Sequence, residues 1–181
     1  VRPKKVRRTK VLGLVVLGLA GLGLSSCGSN PLTGNDDGDD LPPLALVRLV
    51  AGQTAYQTGE TVVVEVRIEH AANVGSVPFR LRYDPDVLRF DPPATEGSFL
   101  SADGATTVFL ASDPHGEGEV VVGISRLGTA PGAEGAGLLA SFEFQARRAG
   151  NAGFAFADAT VKDPQAQNLP ALFDASTVMI E

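Results

Sequence analysis

The sequence predicts an all-β sandwich for the greater part of the chain. Beyond residue 44, apolar and polar residues alternate in short runs, the period of a strand with one buried face. Turn-forming residues separate these runs, and no window of eleven or more residues keeps a helical period. Many short strands with one apolar face each must bury those faces together, in two stacked sheets or one closed sheet. With 44% apolar residues in 181, the chain has material for one core of ordinary size.

The segments ahead of that domain read differently. Residues 1–26 hold six cations (Arg2, Lys4, Lys5, Arg7, Arg8 and Lys10) and no acid, whereas the remainder carries nine cations against 21 acids. Such asymmetry marks a segment with a separate job. Residues 11–24, VLGLVVLGLAGLGL, contain no polar side chain. As a helix they would span about 21 Å, short of a hydrocarbon core of roughly 30 Å. A basic start and a short apolar stretch are the pattern of a secretory signal peptide. Leu24-Ser25-Ser26-Cys27 then resembles a bacterial lipobox. That resemblance implies cleavage before Cys27, with lipid on its sulfur and on its new amino group. Cys27 is the only cysteine, and several acyl chains anchor a protein where one does not. Gly28 follows in place of Asp, which by the same resemblance implies the outer membrane of the cell envelope over the inner.

Residues 27–43 comprise this cysteine and an acidic tether, GSNPLTGNDDGDDLPP, with almost nothing to build a core. Flexible chain of that length spans about 20–24 Å, enough to hold a domain clear of a membrane surface. Its run from Asn35 to Asp40 lacks the Glu at loop position twelve that a calcium-binding EF-hand needs; Leu46 or Val47 falls there.

The domain spans 44–181, with strands expected at 44–50, 61–70, 77–83, 87–90, 106–112, 119–125, 138–147, 153–161 and 177–180. In 61–70, Val62, Val64, Val66 and Ile68 share one face, against Glu65, Arg67 and Glu69. In 77–83, Val77, Phe79, Leu81 and Tyr83 oppose Arg80 and Arg82. Turns are expected at Gln57-Thr58-Gly59, Tyr83-Asp84-Pro85-Asp86, Asp91-Pro92-Pro93, Ala102-Asp103-Gly104 and Asp113-Pro114. The glycine-rich run 128–137 reads as a long loop.

Several of these segments, in order, resemble the cohesin family. Asn73-Val74-Gly75 leads through a strand into Leu81-Arg82-Tyr83-Asp84-Pro85-Asp86-Val87-Leu88, similar to that family's strand, Tyr-Asp-Pro turn and short Val-Leu strand. Gln57-Thr58-Gly59-Glu60-Thr61-Val62, Gly137-Leu138-Leu139-Ala140-Ser141-Phe142 and Phe154-Ala155-Phe156-Ala157-Asp158 resemble its other strands. The resemblance implies a nine-stranded jelly-roll β-sandwich related in architecture to some carbohydrate-binding modules. It also implies binding of a dockerin-like module, or another envelope protein, on one sheet face. The row Ser76, Pro78, Arg80 and Arg82 falls on that face. Ser76 and Pro78 stand where cellulosomal members commonly carry Asn and Asp. Arg80 and Arg82, two residues apart in an acidic domain, are expected to form a local positive patch for an acidic partner.

No catalytic constellation emerges. Gly123-Ile124-Ser125-Arg126-Leu127-Gly128 has the wrong glycine spacing for a nucleophile elbow, and 128–137 lacks the Lys of a phosphate loop. His70 and His115 have no evident partner, and Asp84 with Asp86 belongs to a turn. The chain is therefore read as no enzyme, with no cofactor and no metal. Its acidic balance argues against nucleic acid. The alternative function is polysaccharide binding, for which the chain has no Trp and only Tyr56 and Tyr83. Phe79, Phe142 and Phe144 are expected in the core, with Phe154 and Phe156 free to face either way.

The lipid anchor has a direct test. Metabolic labelling with a fatty acid should mark the wild-type chain, and Cys27→Ala should lose the label; a mutant that remains labelled rejects the assignment.

Overall fold

The structure, a computed structural model, describes residues 44–181. The expected signal peptide (1–26), Cys27 and the tether up to residue 43 lie outside the described residues. The domain is all-β. In order it runs β1 (Ala45–Ala51), β2 (Ala55–Tyr56), β3 (Thr61–Val74), β4 (Phe79–Arg82), β5 (Leu88–Glu96) and a 3-10 turn (Phe99–Ser101). There follow β6 (Thr107–Ser112), β7 (Glu119–Arg126), β8 (Ala133–Ala146), β9 (Gly150–Ala157), β10 (Val161–Lys162), β11 (Asn168–Leu169), β12 (Ala171–Asp174) and β13 (Ser176–Ile180). One sheet has the order β12-β1-β3-β8-β5 and the other β2-β13-β9-β4-β7-β6, while β10 and β11 pair with each other.

Nine strands were expected, and the backbone divides into thirteen segments. The additional ones are short: β2, β10 and β11 have two residues each and β12 has four. Two residues are too few for alternation to be read. The long strands follow their pattern closely. Val62, Val64, Val66 and Ile68 of β3 are all fully buried, and so are Leu81 of β4 and Val120 of β7.

Aromatic rings fill the space between the sheets. Phe142 and Phe144 rise from β8 in the five-stranded sheet. From the six-stranded sheet, Phe79 approaches Phe142 at 6.3 Å between centroids, and Tyr83 and Phe154 approach Phe144 at 5.0 and 5.1 Å. Phe156 continues the layer against Phe79 at 5.4 Å and Phe173 at 5.3 Å. Phe154 and Phe156 thus both face inward. Such tilted and edge-on pairs add about 0.5–1.5 kcal/mol each beyond the area they bury.

Three expectations are corrected. β3 does not end at His70 but continues to Val74 through register shifts against β8, with His70 and Asn73 in the left-handed region at φ 54° and 55°. These are bulges, in which an extra residue turns the strand without ending it. Asp91-Pro92-Pro93 is not a turn but the middle of β5. That strand is the edge of its sheet, where the missing N–H of proline breaks no ladder bond. Finally, the glycine-rich run is half strand: β8 already begins at Ala133. Gly132 there lies so close to Asn73 that a Cβ would fall 2.1 Å from the Asn73 carbonyl carbon.

Two outcomes follow from the aromatic layer. Phe144→Ala, at a fully buried site, should cost about 3–5 kcal/mol in chemical denaturation. The Tyr83 phenol, held by burial first and by its hydrogen bond to Asp113 second, is pushed up to about 12. Because folding favours its neutral form, this contribution is complete below the unfolded value of about 10 and is lost as pH rises through the folded one. Absorbance titration should show a tyrosine ionising near pH 12, and Tyr83→Phe should abolish that step.

Candidate functional site

Alternation along and before β4 fixes the site. Val77, Phe79, Leu81 and Tyr83 are buried, so Ser76, Pro78, Arg80 and Arg82 form one outward row. Ser76 and Pro78 are half-buried and Arg80 and Arg82 exposed. Ser76 bridges Ser125 on one side and Lys162 on the other. Its N–H donates to the Lys162 carbonyl at 3.0 Å, and its carbonyl accepts from the Lys162 N–H at 2.9 Å. The Pro78 carbonyl accepts from the Thr160 N–H at 3.1 Å. Backbone bonds thus fix this end of the row, where Ser76 and Pro78 carry no charge and Lys162, opposite Ser76, is the neighbouring cation.

The other end is charged on both signs. Glu119 of β7 lies directly opposite Arg82 across the ladder. Arg80 donates Nη1–H to Glu119 Oε1 at 2.5 Å, and Arg82 donates Nε–H to Glu119 Oε2 at 3.2 Å. Asp158 Oδ2 stands 3.1 Å from Arg80 Nε. The hydrogen bond from Arg80, then that from Arg82, holds the Glu119 carboxyl below the ordinary glutamate range. Glu119 in turn raises Arg80 above its ordinary value, by hydrogen bond first and charge second.

The expected positive patch is corrected by this geometry. The two guanidinium charges meet two carboxylates within the same face, so the cluster is locally compensated. Alternation within 119–125 marks a strand but does not say which strand flanks it, because pairing is a property of topology; Glu119 and Asp158 reach β4 from segments distant in sequence. Arg82 still offers donors. Its side chain is 63% exposed, and Nε–H to Glu119 is its one side-chain hydrogen bond among the described residues.

Around this cluster the outer face is apolar. Val121 of β7 lies between Arg80 of β4 and Ser112 of β6 in register. Val108 and Leu110 of β6 are 49% and 64% exposed, and Leu110 lies opposite Gly123, where a Cβ would meet nothing within 4 Å. On the far side, Ala157 and Ala155 of β9 face Arg80 and Arg82. The outer face of β9-β4-β7-β6 is thus a floor of small and aliphatic groups around one polar cluster. The signal for its apolar half was in the sequence. Val108-Phe109-Leu110-Ala111 and Val120-Val121-Val122 are apolar on both faces, where a sheet open to water on one side should alternate.

Such a face can hold a partner by contact and hydrogen bonding. Among the described residues no group of His, Cys, Asp and Glu is placed to hold a metal ion. His115 lies in an exposed turn and His70 in the β3 bulge.

The family model for the cohesin domain matches residues 47–168, well over half of the chain. Solved structures share the fold. A non-cellulosomal cohesin from the hyperthermophilic archaeon Archaeoglobus fulgidus is 21% identical with a TM-score of 0.60, over 76% of this chain and 91% of that one. A type II cohesin domain from the cellulosome of Acetivibrio cellulolyticus is 17% identical with a TM-score of 0.63, over 76% and 95%. The sixth cohesin of scaffoldin B from Acetivibrio cellulolyticus, solved in complex with a Cel5 dockerin, is 16% identical with a TM-score of 0.62, over 76% and 99%. No curated protein matches the sequence. The order of motifs, the two-sheet sandwich and the matched family model agree, and the chain belongs to the cohesin domain family.

Proposed function

We propose that this chain is a non-catalytic binding module that docks a protein partner, a dockerin-like module or an envelope assembly component, on the outer face of β9-β4-β7-β6. The observation that carries the reading is the exposure of Leu110, Val108 and Val121 on one sheet face beside the Arg80–Glu119–Arg82 cluster. Aliphatic contact with a satisfied polar group alongside is the composition of a protein interface. The solved cohesin in complex with a Cel5 dockerin supports the same class of partner. Ser76 and Pro78 give a flat surface for close approach, and Arg82 directs its unused donors at an acceptor on the partner.

In this reading Cys27 carries the lipid and the acidic tether lets the domain stand off the envelope, with the outer membrane the destination. Polysaccharide is the weaker ligand. No Phe or Tyr among the described residues is exposed, so a sugar ring finds no aromatic plate to stack on.

The test uses the full chain as bait for proteins of its own cell envelope. Leu110→Asp with Val121→Asp should weaken capture of the bound protein by about thirtyfold or more, the loss of about 2 kcal/mol expected where central contacts are removed. Arg67→Ala, on the outer face of the other sheet, should leave capture unchanged. Equal capture by wild type and the double variant moves the binding face elsewhere, and retention of polysaccharide in place of protein replaces the reading.

A further inference from the structure

A sheet edge exposes unpaired N–H and C=O groups, and proteins blunt such edges with prolines, bulges, charges or shortness. Three of the four edges of the two large sheets are blunted in these ways. β5 carries Pro92, Pro93 and a register shift, β2 has two residues, and β12 has four and ends on Asp174. The fourth edge, β6, is six residues of TVFLAS with no charge, no proline and no register shift against β7.

We propose that β6 is a self-association edge, through which two copies of this chain pair antiparallel and join their six-stranded sheets into one. Backbone parity favours a second copy as the occupant. The Thr106 carbonyl accepts from the Leu127 N–H at 2.8 Å. With Val108 opposite Ser125 and Leu110 opposite Gly123, the even-numbered residues of β6 bond to β7. Thr107, Phe109 and Ala111 therefore turn their N–H and C=O groups to the open side. A two-fold axis through Phe109, perpendicular to the sheet, pairs Phe109 with itself and Thr107 with Ala111 of the second copy, so every open donor on this stretch meets an acceptor. On the outer face the same register sets Val108 beside Leu110 of the second copy, so the exposed aliphatic floors of the two copies run on into one another while their outward surfaces stay open.

Charge points the same way. The domain carries nine cations against 17 acids, so two copies repel in general, but residues 104–112 contain no charged side chain. The flanking acids are engaged at home: Asp103 with Arg126, and Asp113 with Tyr83. The axis keeps both outer faces on the same side, so a dimer presents two binding faces in one plane.

The test is made on the full chain in mild detergent, in a Cys27→Ala background so that introduced thiols are the only ones. Val108→Cys and Leu110→Cys are prepared separately, then mixed and oxidised. At a non-hydrogen-bonded position the Cα atoms lie about 4.5 Å apart, within the range of about 4.4–6.8 Å that a disulfide spans. The mixture should give a linked dimer containing one of each variant, with several-fold less from either variant alone. Equal yields from all three samples, or none from any, overturn the proposal. A second arm uses Ala111→Pro, which removes an outward N–H and leaves the β7 ladder intact. With circular dichroism unchanged, it should raise the dimer dissociation constant at least tenfold by sedimentation; a dimer indifferent to it also overturns the proposal. The cysteine arm stands on its own if the proline variant does not fold.

Discussion

Phe142 and Phe144 of β8 stand between the sheets and meet Phe79, Tyr83 and Phe154 from the other side. Because these rings must point inward, the residues next to them along each strand must point out, which fixes the faces of β4 and β9. A slip of one residue in β4 would bury Arg80 and Arg82 and expose Phe79 and Leu81. The proposed binding face is therefore held in register by the core beneath it. The hydrogen bond from Tyr83 to Asp113 at 2.6 Å fastens the end of β4 to the turn after β6, so both margins of the face rest on the same aromatic layer.

The chain gives up little to hold this arrangement. No polar or charged residue is fully buried among the described residues, and the interior is built almost wholly from Val, Leu, Ile, Phe and Ala. The Arg126 side chain, 4% exposed, is drawn in beside Asp103, and the other ion pairs lie on the outer faces. There Arg67 meets Glu65 on one sheet, and Arg80, Arg82, Glu119 and Asp158 meet on the other. Exposed pairs of this kind contribute little to stability; what they do is set which groups an arriving surface encounters.

Much of this was legible from residue order, and the rest was not for identifiable reasons. Period-two runs gave the inward and outward sets of 61–70 and 77–83, because alternation is a local property of each strand. The family was legible through Tyr83-Asp84-Pro85 and the Gly-Leu-Leu-Ala run, which stand in order along the chain. Pairing is not local. Glu119 is 37 residues from Arg82, and only the placement of β7 beside β4 brings them together, which turned an expected cationic patch into a compensated one. The bulges at His70 and Asn73 escaped notice because an extra residue leaves the apolar count of a strand almost unchanged. Pro92-Pro93 misled because a proline pair signals a turn unless the strand happens to lie at an edge.

Compensation on the face has a kinetic meaning. Opposite charges a few ångströms apart cast little field beyond a Debye length of about 8 Å at physiological salt. A partner diffusing toward β4 is thus not drawn in by the arginines, while the acid excess of the domain as a whole pushes other acidic molecules away. Encounter on such a surface runs at the unsteered rates of about 10⁵–10⁶ per molar per second, with weak dependence on ionic strength. On the proposed face, discrimination between partners would reside in how long each one stays, a quantity governed by the aliphatic floor of Val108, Leu110 and Val121 and only secondarily by the charged groups at its centre.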